Sequence, residues 1–342
     1  MLKKITFLLC SLLVSTFLIS EVCFRVYFSR HPGVPFLSSP KRIINSFYYP
    51  ELKTVDNSTE EDSFRILILS GSAFHKNFGK VETCLLDGLN KKTHKKIKIF
   101  NLAMPAQTSR DSFFKYEYLK DKPFDLVIFY HGLNEARANN CPDSMFREDY
   151  SHYSWYRLVN RKTRYENNRF FVTPFVLDYI FQNAKDRFLK TQYVPKHAPK
   201  EEWMDYGNKI KTAEPFKENL TSILEIAKTK NETVLLLTYA YYIPADYSLS
   251  KFKAKALDYQ AHGYPIEIWG KPENAEKAIQ AHNQVVRELA VQYPYDLFLD
   301  QEKLMAKNGK YYDDICHFSP KGSKKFADNI TGAILFLIRN LK

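Results

Sequence analysis

The chain has 342 residues, of which 45% are hydrophobic and 26% charged, near globular averages. With 11 Gly and 16 Pro it is neither collagen-like nor low in complexity, and its single long apolar run excludes a polytopic membrane protein. The net charge of +12 is spread along the sequence. The densest basic run, Lys91 to Lys98, lacks interleaved aromatics, so nucleic acid is not an expected partner.

Lys3 and Lys4 precede an uncharged run from Ile5 to Ser20. As a helix that run spans about 24 Å at 1.5 Å per residue, and Val22, Cys23 and Phe24 extend it, with Glu21 at the interface. Leu18-Ile19-Ser20 is a poor match to the small-residue pattern of a cleavage site. Residues 1–25 are therefore expected to be an uncleaved N-terminal anchor, with a cleaved signal and a secreted product as the alternative. Either reading makes the rest of the chain extracytoplasmic, although Arg25 and Arg30 after the span weaken the positive-inside asymmetry. Residues 26–62, with Pro32, Pro35, Pro40 and Pro50 and the acidic Glu60-Glu61-Asp62, read as a linker.

The globular part is expected over 63–342. Arg65 to Ser70 is a short, continuously apolar run of the kind buried on both faces of a sheet. Further strands are expected at 97–101, 125–130, 233–239 and 297–299. Helical spacing appears at 80–89, 109–119, 220–227 and 275–292, and in a closing helix through Phe326, Ile330, Ile334 and Leu337. This alternation implies an α/β fold, a flavodoxin-like doubly wound sheet of about five parallel strands. The stretch at about 136–232 breaks the alternation and reads as a helical, aromatic insertion that caps or flanks the sheet.

Ligands of open parallel sheets bind beyond the carboxyl ends of the strands. The segments placed there are Ser70-Gly71-Ser72-Ala73, Asn101 to Ser109, His131-Gly132-Leu133-Asn134-Glu135, and Asp313-Asp314-Ile315-Cys316-His317. Singly, Ser72 reads as a helix N-cap, Asn134 as a turn residue and His317 as a surface or capping His. Jointly they supply a hydroxyl, backbone donors, an amide, and a His with a carboxylate three residues earlier, which are the parts of a serine esterase.

In order and spacing the four segments resemble the blocks of the SGNH/GDSL hydrolase superfamily. Ser70-Gly71-Ser72-Ala73 stands where that family has G-D-S-x, Ala106 where its second block ends in Gly, Gly132-Leu133-Asn134-Glu135 for G-x-N-D, and Asp314-Ile315-Cys316-His317 for D-x-x-H. Gly71 before the serine is similar to a G-G-S-like branch. An oxyanion donor at position 106 needs only a backbone N–H, but a positive φ there would cost Ala more than Gly. The resemblance implies the SGNH hydrolase fold, with Ser72 as nucleophile, His317 as general base and Asp314 orienting it. It also implies an oxyanion hole from the N–H groups of Ser72 and Ala106 and the Asn134 amide.

No metal or organic cofactor is expected, and the absence of a C-x-x-C pair argues against structural zinc. The expected function is a membrane-anchored serine esterase or deacylase acting on a small-molecule or glycan ester. The alternatives are an O-acyltransferase acting on a cell-envelope glycan and a catalytically idle binding protein of this fold. Asp313 competes with Asp314 for His317, and His131 is expected to pack at a strand end. His152, Tyr153 and Trp155 form either a small core of the insertion or a pocket wall. Cys141 and Cys316 are either bridged or two free thiols, and Cys84 reads as a core thiol.

Overall fold

The computed structural model describes residues 2–55, 63–195 and 199–340. The chain forms two compact units. One comprises residues 1–53 and 149–193, the other 54–148 and 194–342.

The larger unit is built on a five-stranded, all-parallel sheet: β1 (Ser63–Ser70), β2 (Lys96–Asn101), β3 (Leu126–Tyr130), β4 (Thr233–Leu237) and β5 (Leu297–Leu299), in spatial order β2-β1-β3-β4-β5. Every residue of β1 and β3 is buried, as expected for strands covered on both faces. Each large apolar side chain so buried contributes roughly 1.5–3 kcal/mol. Helices Val81–Asn90 and Pro320–Asn340 pack together, as do Ser109–Tyr118, Ala213–Lys230 and Pro272–Gln292. Ile279, Val286 and Leu289 of the long helix are buried, as the sequence spacing predicts.

The order of strands places the site. After β1 the chain moves outward to β2, then returns across β1 to β3 on its other side. The loops after β1 and β3 therefore diverge, leaving a crevice at the switch point.

The smaller unit differs from the sequence expectation. Residues 26–30 complete the helix Leu2–Arg30, and Ser39 caps a second helix, Pro40–Tyr48, with Ile43, Ile44 and Tyr48 buried. Buried Lys162 donates to Asn45 Oδ1 at 3.2 Å and to Glu166 Oε1 at 2.6 Å, tying 40–48 to 149–193. Much of the expected linker is thus folded, and positions 56–62 of it lie outside the described residues. The insertion is not one body either: 149–193 joins residues 1–53, whereas 136–148 and 194–232 belong to the sheet unit. Tyr150 and Tyr153 each make ring contacts with His152 and Tyr156, all four are buried, and Trp155 meets Tyr48 edge-on at 5.6 Å. These aromatics form the core of the smaller unit.

The helix Leu2–Arg30 is long and apolar enough to cross a membrane, with a mean hydropathy of 2.1 over its most apolar window.

Candidate active site

β1 ends at Ser70, whose hydroxyl donates to the Tyr130 carbonyl of β3 at 2.9 Å. Two residues on, Ser72 opens a single turn of 3₁₀ helix and is buried. Its Oγ lies 2.9 Å from His317 Nε2. His317 Nδ1 in turn lies 2.7 Å from Asp314 Oδ2 and 2.9 Å from Oδ1. The Asp314 carboxylate accepts from the N–H groups of Cys316 (3.0 Å), His317 (2.9 Å) and Tyr264 (3.0 Å). Those donors fix the carboxyl group where it faces the ring. Asp313 points its main chain, not its carboxylate, into this network: its N–H donates to the His317 carbonyl at 2.8 Å.

Burial acts against a charged His317 ring, but the Cys316 sulfur and the Asp314 carboxylate outweigh it, holding His317 above its ordinary value. Phe78 stacks on the imidazole with ring centroids 4.8 Å apart, and Tyr264 lies 5.5 Å away. A cavity of about 420 Å³ lies beside this ring, walled by Lys76, Phe78, Tyr264, Asp313 and Ser323 among others. Asp314, Cys316 and His317 also bring three metal-binding atoms within 4.8 Å of one another. The carboxylate oxygens are already engaged by N–H donors, which suits an oriented imidazole better than a cation cage.

Three further donors lie on the loops after β1, β2 and β3. Met104-Pro105-Ala106-Gln107 has the pattern of a type II turn: Gln107 N–H donates to the Met104 carbonyl, Pro105 is second, and Ala106 has φ +62°. Lys115, fully buried, holds this loop by donating to the Leu102 carbonyl at 2.6 Å and to Gln107 Oε1. Neither the Ser72 nor the Ala106 N–H has an acceptor among the described residues. The Asn134 amide is fixed at both ends, since Trp269 Nε1 donates to its Oδ1 at 3.1 Å and its Nδ2 donates to the Gln107 carbonyl at 2.8 Å. That leaves one amide hydrogen uncommitted.

The glycines nearby answer to these contacts. A Cβ on Gly71 would stand 2.8 Å from Asn134 Nδ2, so any side chain at this position requires the amide to shift from where it is observed. A Cβ on Gly132 would lie 2.8 Å from the Tyr239 Cβ. Glu135, fully buried, accepts from the Ser109 N–H at 2.6 Å at the start of helix Ser109–Tyr118, and burial pushes its carboxyl up to about 7. It braces the loops from below and does not touch Ser72 or His317.

His131 is buried against the Ser112 hydroxyl at 2.7 Å, and burial, then Lys115, pushes it down to about 3, so it is a neutral packing residue. All five cysteines are free; Cys141 and Cys316 are buried and Cys84 is partly buried against the core. Sequence reading missed Trp269, Tyr264 and Phe78. Each lies in a loop without periodicity and meets its partner only through the fold.

No protein-family model and no curated protein matches this chain. Among solved structures it is similar to a GDSL-like lipase from Bacteroides thetaiotaomicron VPI-5482, with 14% identity over 85% of this chain and 97% of that one and a TM-score of 0.46. It is similar also to the lipase/acylhydrolase from Enterococcus faecalis, at 16% identity over 79% and 94% of the two chains and a TM-score of 0.42. Axe2, an acetylxylan esterase from Geobacillus stearothermophilus, is similar at 13% identity over 79% and 93%, with a TM-score of 0.43.

Proposed function

We propose that this chain is a serine ester hydrolase of the SGNH/GDSL type, in its G-G-S-like branch, held at a membrane by its N-terminal helix. The observation that carries the proposal is the continuous chain from Ser72 Oγ through His317 to Asp314 at hydrogen-bond distances. Near it are the Ser72 and Ala106 N–H groups, which have no acceptor among the described residues, and the Asn134 amide, which keeps one hydrogen uncommitted. In this reading Ser72 Oγ attacks the carbonyl carbon of a small-molecule or glycan ester while His317 Nε2 takes its proton. The C–O bond to the alcohol then breaks, and His317 returns the proton to the leaving oxygen. Water, activated by the same imidazole, releases the acid and restores Ser72. Asp314 holds the ring with Nδ1 protonated and stabilises the imidazolium. The N–H groups of Ser72 and Ala106 and the Asn134 amide receive the oxyanion, and no cofactor takes part.

The anchor is retained in this proposal, and the sheet unit is extracytoplasmic. Phe17 within the apolar run packs edge-on against Phe171 at 5.0 Å. Lys3 and Lys4 precede the span and lie on the cytoplasmic side in this proposal, and Arg25 pairs with Glu21 at 2.6 Å at the other end.

The test is hydrolysis of a short-chain aryl ester by Ser72→Ala, His317→Ala and the double variant. Each single change is expected to remove nearly all activity and the double to lose little more, because residues acting as one unit are non-additive. Losses that multiply would refute the shared mechanism.

A further inference from the structure

The smaller unit presents an amphipathic helix with its apolar side outward. Along Thr173–Leu189 the inner stripe is satisfied within the unit. Phe175 and Tyr179 pack on Phe47, and Asp178 and Asp186 pair with Arg161 and Arg157, each at 2.6 Å. The opposite stripe holds Leu177, Ile180, Phe181, Ala184 and Phe188, at the spacing of one helix face. Phe181 is 62% exposed and Phe188 86%. Soluble proteins rarely leave such a stripe uncovered.

The N-terminus of this helix is fixed to the point where the apolar run of Leu2–Arg30 ends. Glu21 accepts from Val172 N–H at 2.9 Å, from Thr173 N–H at 2.9 Å and from Thr173 Oγ1 at 2.7 Å, capping the helix from across the unit. Arg25 donates to the Phe170 carbonyl at 2.7 Å, and Phe171 touches Phe17, a turn inside the run. Exposed Phe170 therefore sits at the depth where the run leaves the lipid. Lys185, Arg187 and Lys190 are set along the helix and at its end, where phosphate headgroups would meet them.

We propose that Thr173–Leu189 is a second membrane element, lying in the bilayer interface with the Leu177–Phe188 stripe in the lipid. The occupant is the same bilayer that the N-terminal helix crosses, so this inference rests on the anchor reading given above. With two contacts, the smaller unit is fixed in tilt and height instead of swinging on one helix.

The test uses the full chain reconstituted in phosphatidylcholine–phosphatidylglycerol vesicles with and without brominated acyl chains. Leu13→Trp, Phe181→Trp and Phe188→Trp are each compared with the parent protein, whose native tryptophan emission is subtracted. All three are expected to emit blue-shifted light and to lose about half or more of the added emission to bromine, since an interfacial helix buries its apolar face about 5–10 Å. Quenching at position 13 but not at 181 or 188 would overturn the interfacial helix and leave the anchor standing. Absence of quenching at position 13 would overturn the anchor and this inference with it. Unquenched but blue-shifted emission at 181, with cross-linking between copies through that position, would assign the stripe to a second copy and likewise refute the proposal.

Discussion

Replacing Gly71 by alanine adds one methyl group at a defined place. The new Cβ would stand 2.8 Å from Asn134 Nδ2 and 3.4 Å from the Gln107 carbonyl oxygen. Ordinary contact between heavy atoms is about 3.5 Å, so the amide would have to retreat by roughly 0.7 Å. It is restrained by the Trp269 indole on its Oδ1 and by its own bond to Gln107, so the retreat breaks or bends both. A donor meant for an oxyanion works only within a few tenths of an ångström, and losing one costs about 10²–10³ in kcat. Gly71→Ala is therefore expected to lower kcat about 100-fold, or ~2.7 kcal/mol, with KM within a few-fold because the ground-state carbonyl gains little from that donor. Gly71→Asp, with a larger side chain at the same place, should be no better. The decisive assay is a double-mutant cycle on a short-chain aryl ester. In an Asn134→Ala background the added methyl meets only the Gln107 carbonyl oxygen at 3.4 Å, so Gly71→Ala should change kcat by only about twofold there. A Gly71→Ala enzyme with full turnover, or losses that multiply in the double variant, would refute the role assigned to the amide.

Other outcomes follow from the same geometry. Ala106→Gly relieves a positive φ and should raise stability by about 1 kcal/mol, or roughly 2–4 °C in Tm, with activity kept; an unchanged or lower Tm by thermal unfolding would contradict the turn. His317 must be neutral to act as base and its protonated form is favoured, so activity is lost as pH falls through a value above the ordinary histidine range. The acid limb of kcat/KM should lie above about 6.5 and move down in Asp314→Asn; a limb at or below the ordinary value would count against the pairing. Trp269→Phe removes the donor that fixes Asn134 Oδ1 and should lower kcat about tenfold with KM little changed; a fall in Tm alone would make Trp269 a packing residue only.

The sheet was legible because its strands are short, mostly apolar runs separated by helical spacing, and β2 and β5 fall within a residue of their predicted bounds. The loops that carry Ser72 and Asn134 could be found because each directly follows a recognised strand, and the loop of His317 because it directly precedes the closing helix. What supports them could not. Trp269 reaches Asn134 across 135 positions, and Tyr264 reaches Asp314 across 50, from loops with no repeat or motif. The smaller unit was hidden for a related cause. Its core joins 40–48 to 149–193, segments about a hundred positions apart along the chain, and their complementarity appears only when Lys162, Asn45 and Glu166 meet. The cost of Ala106 was foreseeable as a question of φ, but its sign needed the backbone.

The central claim, that Ser72 is an activated nucleophile, is tested most directly by labelling the full-length protein with a fluorophosphonate and locating the adduct by peptide mass spectrometry. The account predicts one adduct, on Ser72, absent in Ser72→Ala and formed far more slowly in His317→Ala. An unlabelled, folded wild-type protein, or an adduct on another serine that survives Ser72→Ala, would contradict it.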